Sequence, residues 1–171
     1  MKLDKVLIAE EEIAEIVESL SDKINSDFEG EEVLLVVVLK GSLVFAADLM
    51  RKLDVPVYID FMRVSSYGMG TVSSGELNIK LDLSTDIENK NVIIVEDIID
   101  TGNTLYSLKQ LLLSRKPKQL KICTLLDKPE RRTAEVEADY TGKTIPDEFV
   151  VGYGLDCAER YRELPFVGVL K

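Results

Sequence analysis

The sequence predicts an α/β fold, a mostly parallel sheet flanked by helices, and three observations predict it. Continuous apolar runs at 33–39 (VLLVVVL) and 92–95 (VIIV) are rich in β-branched residues. They lack the polar alternation of a half-exposed strand, so they read as strands covered on both faces. Segments of helical period stand between the strand-like runs, the alternation that produces parallel crossovers. Several runs also end abruptly in glycine, hydroxyl or charged residues, as strands do at the ligand-binding edge of an open sheet.

In chain order, residues 9–23 (AEEEIAEIVESLSDK) place Ile13, Ile16, Val17 and Leu20 at helical spacing with carboxylates on the opposite face. This is an amphipathic helix, and its early acids complement the helix dipole. Strand 33–39 follows, stopped by Lys40-Gly41-Ser42, then a helix over 43–53. A strand over 55–64 must hold Pro56 at its start or at an edge, because proline cannot donate to a ladder. Residues 65–75 (SSYGMGTVSSG) are small and polar and read as a mobile loop. A short strand at 77–83 and the dry strand at 92–95 lead to a helix from about 104 to 115, stopped by Pro117. Strands are expected at 120–126, 149–153 and 166–170.

The 171 residues suit one domain, 1–171, with 46% hydrophobic and 30% charged residues and 5 prolines, which leaves little room for a linker. No apolar run approaches the roughly 20 residues of a membrane helix. Acids stand where a secretory signal would be apolar, so a cytoplasmic location is expected. Cys123 and Cys157 read as thiols rather than a disulfide. With 31 acidic against 21 basic residues, the net charge of −10 disfavours generic nucleic-acid binding. The count of 0 histidines removes Ser-His-Asp and Cys-His catalysis and the HExxH zinc pattern. Acid–base chemistry falls to carboxylates, lysine or tyrosine.

The most heavily loaded strand end is 92–104, VIIVEDIIDTGNT. Glu96 and Asp97 sit side by side, and in an extended strand they point to different sides, toward sugar hydroxyls or a hydrated magnesium ion. Thr101, Gly102, Asn103 and Thr104 then form a turn at a helix N-terminus, where backbone N–H groups and two hydroxyls can cradle a phosphate. An ordinary N-cap would use the same residue types. Carboxylates beside an anion cradle would repel its ligand unless a cation and a sugar lay between them. A ribose phosphate with a metal ion meets that condition.

The stretch EDIIDTGNT resembles the phosphoribosyl pyrophosphate (PRPP) motif of type I phosphoribosyltransferases, specifically their hypoxanthine-guanine branch. The resemblance extends to Leu39-Lys40-Gly41-Ser42, the SSYG loop from Ser65, Lys128, residues 149–156 and Tyr161-Arg162-Glu163-Leu164, nearly the whole chain. No GxxxxGK[ST] loop is present, and Gly68-Met69-Gly70 lacks a dinucleotide context.

The resemblance implies the type I phosphoribosyltransferase fold with a small hood over the active site, and magnesium-dependent transfer of phosphoribosyl from PRPP to a 6-oxopurine. Glu96 and Asp97 would hold the ribose hydroxyls and magnesium, and Thr101 to Thr104 the 5′-phosphate. Asp100 would be the general base at purine nitrogen 7, with helix capping as its other reading. Lys40 and Gly41 would meet pyrophosphate, with a peptide bond there that is cis in some members, and Arg162 would meet pyrophosphate too. Lys128 would donate to the 6-oxo group, Phe149 would stack on the base, and the Val150 backbone would contact its edge. Asp156 would serve a second magnesium ion or the base substituent. Ser66 and Tyr67 would belong to a loop that closes over the reacting centre and excludes water. Asn103 departs from the lysine found in some members. The resemblance also implies a homo-oligomer, dimer or tetramer, with no nucleic-acid or membrane partner. Two alternatives stay open: an RNA-binding regulator of the same fold, which would need a basic face, and an enzyme for another base such as xanthine or uracil.

Overall fold

The computed structural model describes residues 2–66 and 76–171. Its elements in chain order are β1 (Leu3–Ile8), α1 (Glu10–Asp27), β2 (Val33–Val38), α2 (Leu43–Met50), β3 (Val57–Ser66), β4 (Leu77–Leu81), β5 (Asn91–Ile99), α3 (Asn103–Ser114), β6 (Gln119–Asp127), β7 (Tyr140–Thr144), β8 (Val150–Val151) and β9 (Val167–Leu170), with a single 3-10 turn at Pro129–Arg131. The main sheet has six strands in the order β4-β3-β2-β5-β6-β7. Its neighbours from β3 to β7 pair in parallel, and β4 alone runs antiparallel at the edge beside β3. A second sheet, β1-β9-β8, is antiparallel and forms the small hood.

The dry runs behave as double-faced strands must. Val33, Leu35 and Val37 of β2 pack with α1, α2 and the hood, alongside Ile13, Val17 and Phe45. Their alternates Leu34 and Val36 pack on the other face with Leu105, Leu108 and Leu112 of α3. Each strand thereby fills two cores with one short sequence, which is why polar alternation is absent. Parallel pairing brings the carboxyl ends of β2, β5 and β6 to one edge of the sheet, the edge that carries Lys40, Glu96 to Thr104 and Lys128. The chain leaving β8 returns to this edge, where a Cβ added at Gly154 would lie 2.2 Å from the Gly41 carbonyl oxygen.

Several boundaries differ from the sequence reading for physical reasons. β1 and β7 were not expected. Most of β1 is solvent-facing and is held by long-range pairing with β9, which local pattern does not reveal. In β7, Gly142 interrupts the strand pattern because a Cβ there would come within 2.4 Å of the Leu125 carbonyl oxygen. Helix α1 runs four residues past the expected end, with Ile24 buried in the added turn. β5 extends to Ile99, so Glu96 and Asp97 lie within the strand rather than after it. Ser65 and Ser66 belong to β3 rather than to the loop, paired with Asn78 and Leu77. The strand expected at 149–153 shrinks to two residues, since Gly152 and Tyr153 both adopt positive φ. Among the described residues, no helix is long and apolar enough to cross a membrane.

Candidate active site

The carboxyl ends of β2 and β5 and the start of α3 enclose a cavity of about 290 Å³. Gly41, Glu96, Asp97, Asp100, Thr101, Gly102, Asn103 and Thr104 line it, so the loaded motif forms one concave surface. Asp97 Oδ1 accepts the Ile98 N–H at 2.7 Å, which orients its carboxylate. Although adjacent strand residues are expected to point to different sides, Glu96 and Asp97 both line this cavity. Burial and repulsion by Asp97 push the Glu96 carboxyl well above the usual carboxylate range. Burial pushes Asp97 up to about 6, against the pull of backbone N–H groups and Arg162.

Two crowded carboxyls that resist joint ionisation are a suitable oxygen donor set for a hard divalent cation, whose charge would relieve the repulsion. Among the described residues no group of three or more Asp, Glu, Cys or His side chains forms a protein-only cage. A cation here would share its coordination with substrate oxygens and water, as magnesium commonly does. Asp156 stands apart from this pair. Its Oδ1 lies 3.2 Å from Arg162 Nη2, and its Oδ2 accepts the Glu159 N–H at 2.8 Å.

A stability prediction follows from the raised pair. A carboxyl whose folded pKa exceeds its unfolded value favours the folded state below the ordinary carboxylate range and costs stability as pH rises through the raised value. Glu96→Gln, melted at pH 8 in EDTA, is expected to unfold at a higher temperature than the parent. The gain should be on the order of 2–4 °C per kcal/mol relieved and should vanish near pH 4. A variant that melts lower at pH 8, or equally at both pH values, would exclude this repulsion.

The turn after β5 carries no side-chain cap. Gly102 is the N-cap of α3 at φ +81° and offers no side chain to satisfy the first-turn N–H groups. Thr101 Oγ1 accepts the Asn103 N–H only at 3.4 Å, so an ordinary Thr or Asn cap is not what the turn presents. Thr104 Oγ1 lies 2.6 Å from Ser66 Oγ, which links the end of β3 to the cradle. Tyr67 lies outside the described residues.

Asp100 lines the cavity with a side chain that is 46% exposed although its Oδ1 is buried, so the open part of the carboxylate is a ready acceptor for a ligand N–H. Two arginines absent from the sequence reading hold this residue. Arg132 donates from Nε to the Asp100 carbonyl at 3.2 Å and from Nη1 to the Val136 carbonyl at 2.7 Å, and it pairs with Asp127. Arg131 Nε lies 2.9 Å from Asp100 Oδ1. Both belong to PERR, which follows directly from Lys128, and spacing of one 3-10 turn was the signal available for Arg131.

Lys128 is 94% buried from its 6% exposure, an unusual state for a lysine, with Asp147 Oδ1 4.0 Å from its Nζ. Phe149 is 50% exposed despite its apolar neighbours, while Val150 is buried in β8. An open aromatic face and a buried cation are each suited to a planar, polar-edged ligand.

The third group lies around Gly41. The cis bond is Leu39-Lys40, one bond before the expected position. Lys40 Nζ lies 2.7 Å from Glu159 Oε2, whose other oxygen is 3.3 Å from Arg162 Nη2. Arg162 Nη1 donates to the Gly154 carbonyl at 2.7 Å. Lys40 and Arg162 are thus brought together by one exposed carboxylate, Glu159, that the sequence reading did not single out.

Comparison with known proteins agrees with this geometry. Residues 6–158 match the phosphoribosyl transferase domain. The chain is 53% identical over 169 residues to the hypoxanthine-guanine phosphoribosyltransferase of Staphylococcus aureus (strain Mu50), covering 99% of this chain and 94% of that one. It superimposes on a hypoxanthine-guanine phosphoribosyltransferase crystal structure from Bacillus anthracis with TM-score 0.96 and 52% identity, over 99% of this chain and 100% of the other. A hypoxanthine phosphoribosyl transferase from Trypanosoma cruzi matches with TM-score 0.94 and 43% identity, over 99% of this chain and 92% of that one. Fold, motif and overall similarity agree, and the chain belongs to the phosphoribosyltransferase family, on its hypoxanthine-guanine branch.

Proposed function

We propose that the protein works in purine salvage, transferring the 5-phosphoribosyl group of PRPP to hypoxanthine or guanine to give IMP or GMP and pyrophosphate. The observation that carries this reading is the half-exposed Asp100 carboxylate in the same cavity as the carboxylate pair and the phosphate cradle. The purine would lie on Phe149 with its 6-oxo group at Lys128, its edge at the Val150 backbone, and nitrogen 7 toward Asp100. As the bond between the anomeric carbon and pyrophosphate oxygen breaks, purine nitrogen 9 bonds to that carbon. Asp100 takes the proton released from nitrogen 7.

Positioning and electrostatics supply the rest. Thr101 to Thr104 hold the 5′-phosphate, Glu96 and Asp97 the ribose hydroxyls, and Lys40 and Arg162 the pyrophosphate. A magnesium ion at Glu96 and Asp97, with a second beside Asp156, would supply positive charge to the departing pyrophosphate. Ser66, at the end of β3 and hydrogen-bonded to Thr104, would border the phosphate site. We place the enzyme in the cytoplasm as a homo-oligomer. Support for association comes from the apolar side chains exposed on β3 and β4, Tyr58, Ile59, Ile79 and Leu81, and the Trypanosoma relative was solved in a study of its oligomeric state.

The test is nucleotide formation from PRPP with hypoxanthine, guanine, xanthine, adenine and uracil in parallel, with magnesium and with EDTA. Product from hypoxanthine and guanine in magnesium alone is expected. Product in EDTA would exclude the metal, and product from adenine would exclude the 6-oxo reading.

The Lys128 assignment makes a separate prediction. A charged hydrogen bond contributes about 1.5–3 kcal/mol, so Lys128→Met should raise the KM for hypoxanthine by roughly 10- to 150-fold. The KM for PRPP should stay within about twofold, because the phosphate and ribose contacts are untouched. Steady-state kinetics with each substrate varied would check this, and a rise confined to PRPP would place Lys128 elsewhere in the site.

A further inference from the structure

We propose that Arg131 is a positioning residue for Asp100, holding the general-base carboxylate in its working orientation and joining it through Asp147 to the base-reading Lys128. The inference rests on Asp100 having the role given above. Four charges alternate in sign across the base site. Lys128 Nζ is 4.0 Å from Asp147 Oδ1, Asp147 Oδ2 is 3.7 Å from Arg131 Nη1, and Arg131 Nε is 2.9 Å from Asp100 Oδ1.

The geometry of the last pair is specific. Arg131 Nε stands at close ion-pair distance from an Oδ1 that is buried, while the Asp100 side chain as a whole is 46% exposed. The guanidinium therefore fixes the carboxylate from its covered side and leaves the exposed side for a ligand proton. Arg132, the neighbouring arginine, grips the backbone carbonyl of Asp100 rather than its carboxylate. The backbone and the side chain of the base are thus held by two successive arginines of one turn.

Stability does not explain the contact. Arg131, Asp100 and Asp147 side chains are all close to half exposed, 48%, 46% and 46%. Ion pairs of that exposure contribute little to folding. Their arrangement matters instead for the reaction, since a purine that engages Lys128 through its 6-oxo group presents nitrogen 7 to the other end of the same chain of charges. Arg131 lies in the 3-10 turn whose Arg131 N–H donates to the Lys128 carbonyl at 3.2 Å, so one short rigid segment sets the separation of both groups.

The experiment is a double-mutant cycle on the full-length enzyme with magnesium, PRPP and hypoxanthine. Arg131→Met, which keeps the apolar stem and removes the charge, is expected to lower kcat about tenfold and leave the KM for PRPP within about twofold. Arg131→Lys should recover a measurable part of the loss, because it restores the charge without the fork. In the Asp100→Asn background, Arg131→Met should change kcat less than about twofold, since the group it positions no longer accepts the proton. An equal loss in both backgrounds would overturn the inference while leaving Asp100 as the base. Undiminished turnover in Asp100→Asn alone would instead remove the reading on which the inference rests.

Discussion

Asp100→Asn is expected to lower kcat by about 10²–10⁴, the usual contribution of a positioned general base, with the affinity for PRPP nearly unchanged. The substitution is close to isosteric, so it leaves the turn intact: Arg132 holds the carbonyl of residue 100, and the Thr133 and Ala134 N–H groups donate to the Thr101 carbonyl at 3.0 and 3.2 Å. What it removes is the carboxylate that lines the cavity. The amide can turn its oxygen toward nitrogen 7 and still accept a hydrogen bond, yet it cannot take the proton at neutral pH. Binding and chemistry therefore separate. PRPP affinity, read by titration in magnesium, should match the parent within about threefold, while single-turnover nucleotide formation slows by orders of magnitude. Equal loss of both would make Asp100 a structural cap, the other reading its position allows.

How much of this was legible in the sequence depends on the range over which each feature is determined. The parallel core was legible because VLLVVVL and VIIV can be satisfied only when both faces are covered. The motif from Glu96 to Thr104 was legible because all its groups come from one strand, one turn and one helix start, and they do line one cavity. That Glu96 and Asp97 both reach this cavity was not, because alternation along an extended strand argues for the opposite. β1 and β7 were hidden by a different cause: their partners, β9 and β6, lie far along the chain or beside a glycine whose reason is a close carbonyl.

Charge partners were the least legible part. Asp147 reaches Lys128 and Arg131, and Glu159 reaches Lys40 across 119 positions, contacts that no local pattern encodes. Glu159 shows what such contacts do in a binding site. Its carboxylate, held below the usual range by Lys40, bridges the two cations assigned to pyrophosphate. In a protein of net charge −10 these two cations are thereby paired with one exposed carboxylate, a position where ion pairing is weak.

Gly41→Ala carries the second large effect. From the sequence, the glycine is expected to let the backbone approach pyrophosphate; the structure adds a nearer cause. A Cβ at Gly41 would stand 1.7 Å from Asp97 Oδ2 and 2.8 Å from its Cγ, separations no side chain tolerates. The aspartate is short and its other oxygen already accepts the Ile98 N–H, so rotating away breaks that bond and moves the carboxylate from its place beside Glu96. The carbonyl of Gly41 is packed against Gly154, which blocks the opposite escape, a shift of the backbone. A displacement near 1 Å in a positioning group can cost about 10²-fold, and kcat/KM for PRPP should fall by at least that order. The fold should survive, because Gly41 lies at the open end of β2 beyond the dry strand, and its clash is with a cavity-lining side chain rather than with the core. Circular dichroism and thermal melting would confirm a folded variant, and kinetics with PRPP varied would read the loss. A folded Gly41→Ala enzyme with unchanged kcat/KM would mean that Asp97 can leave its observed position without consequence, and would end its assignment to the ribose and the metal ion.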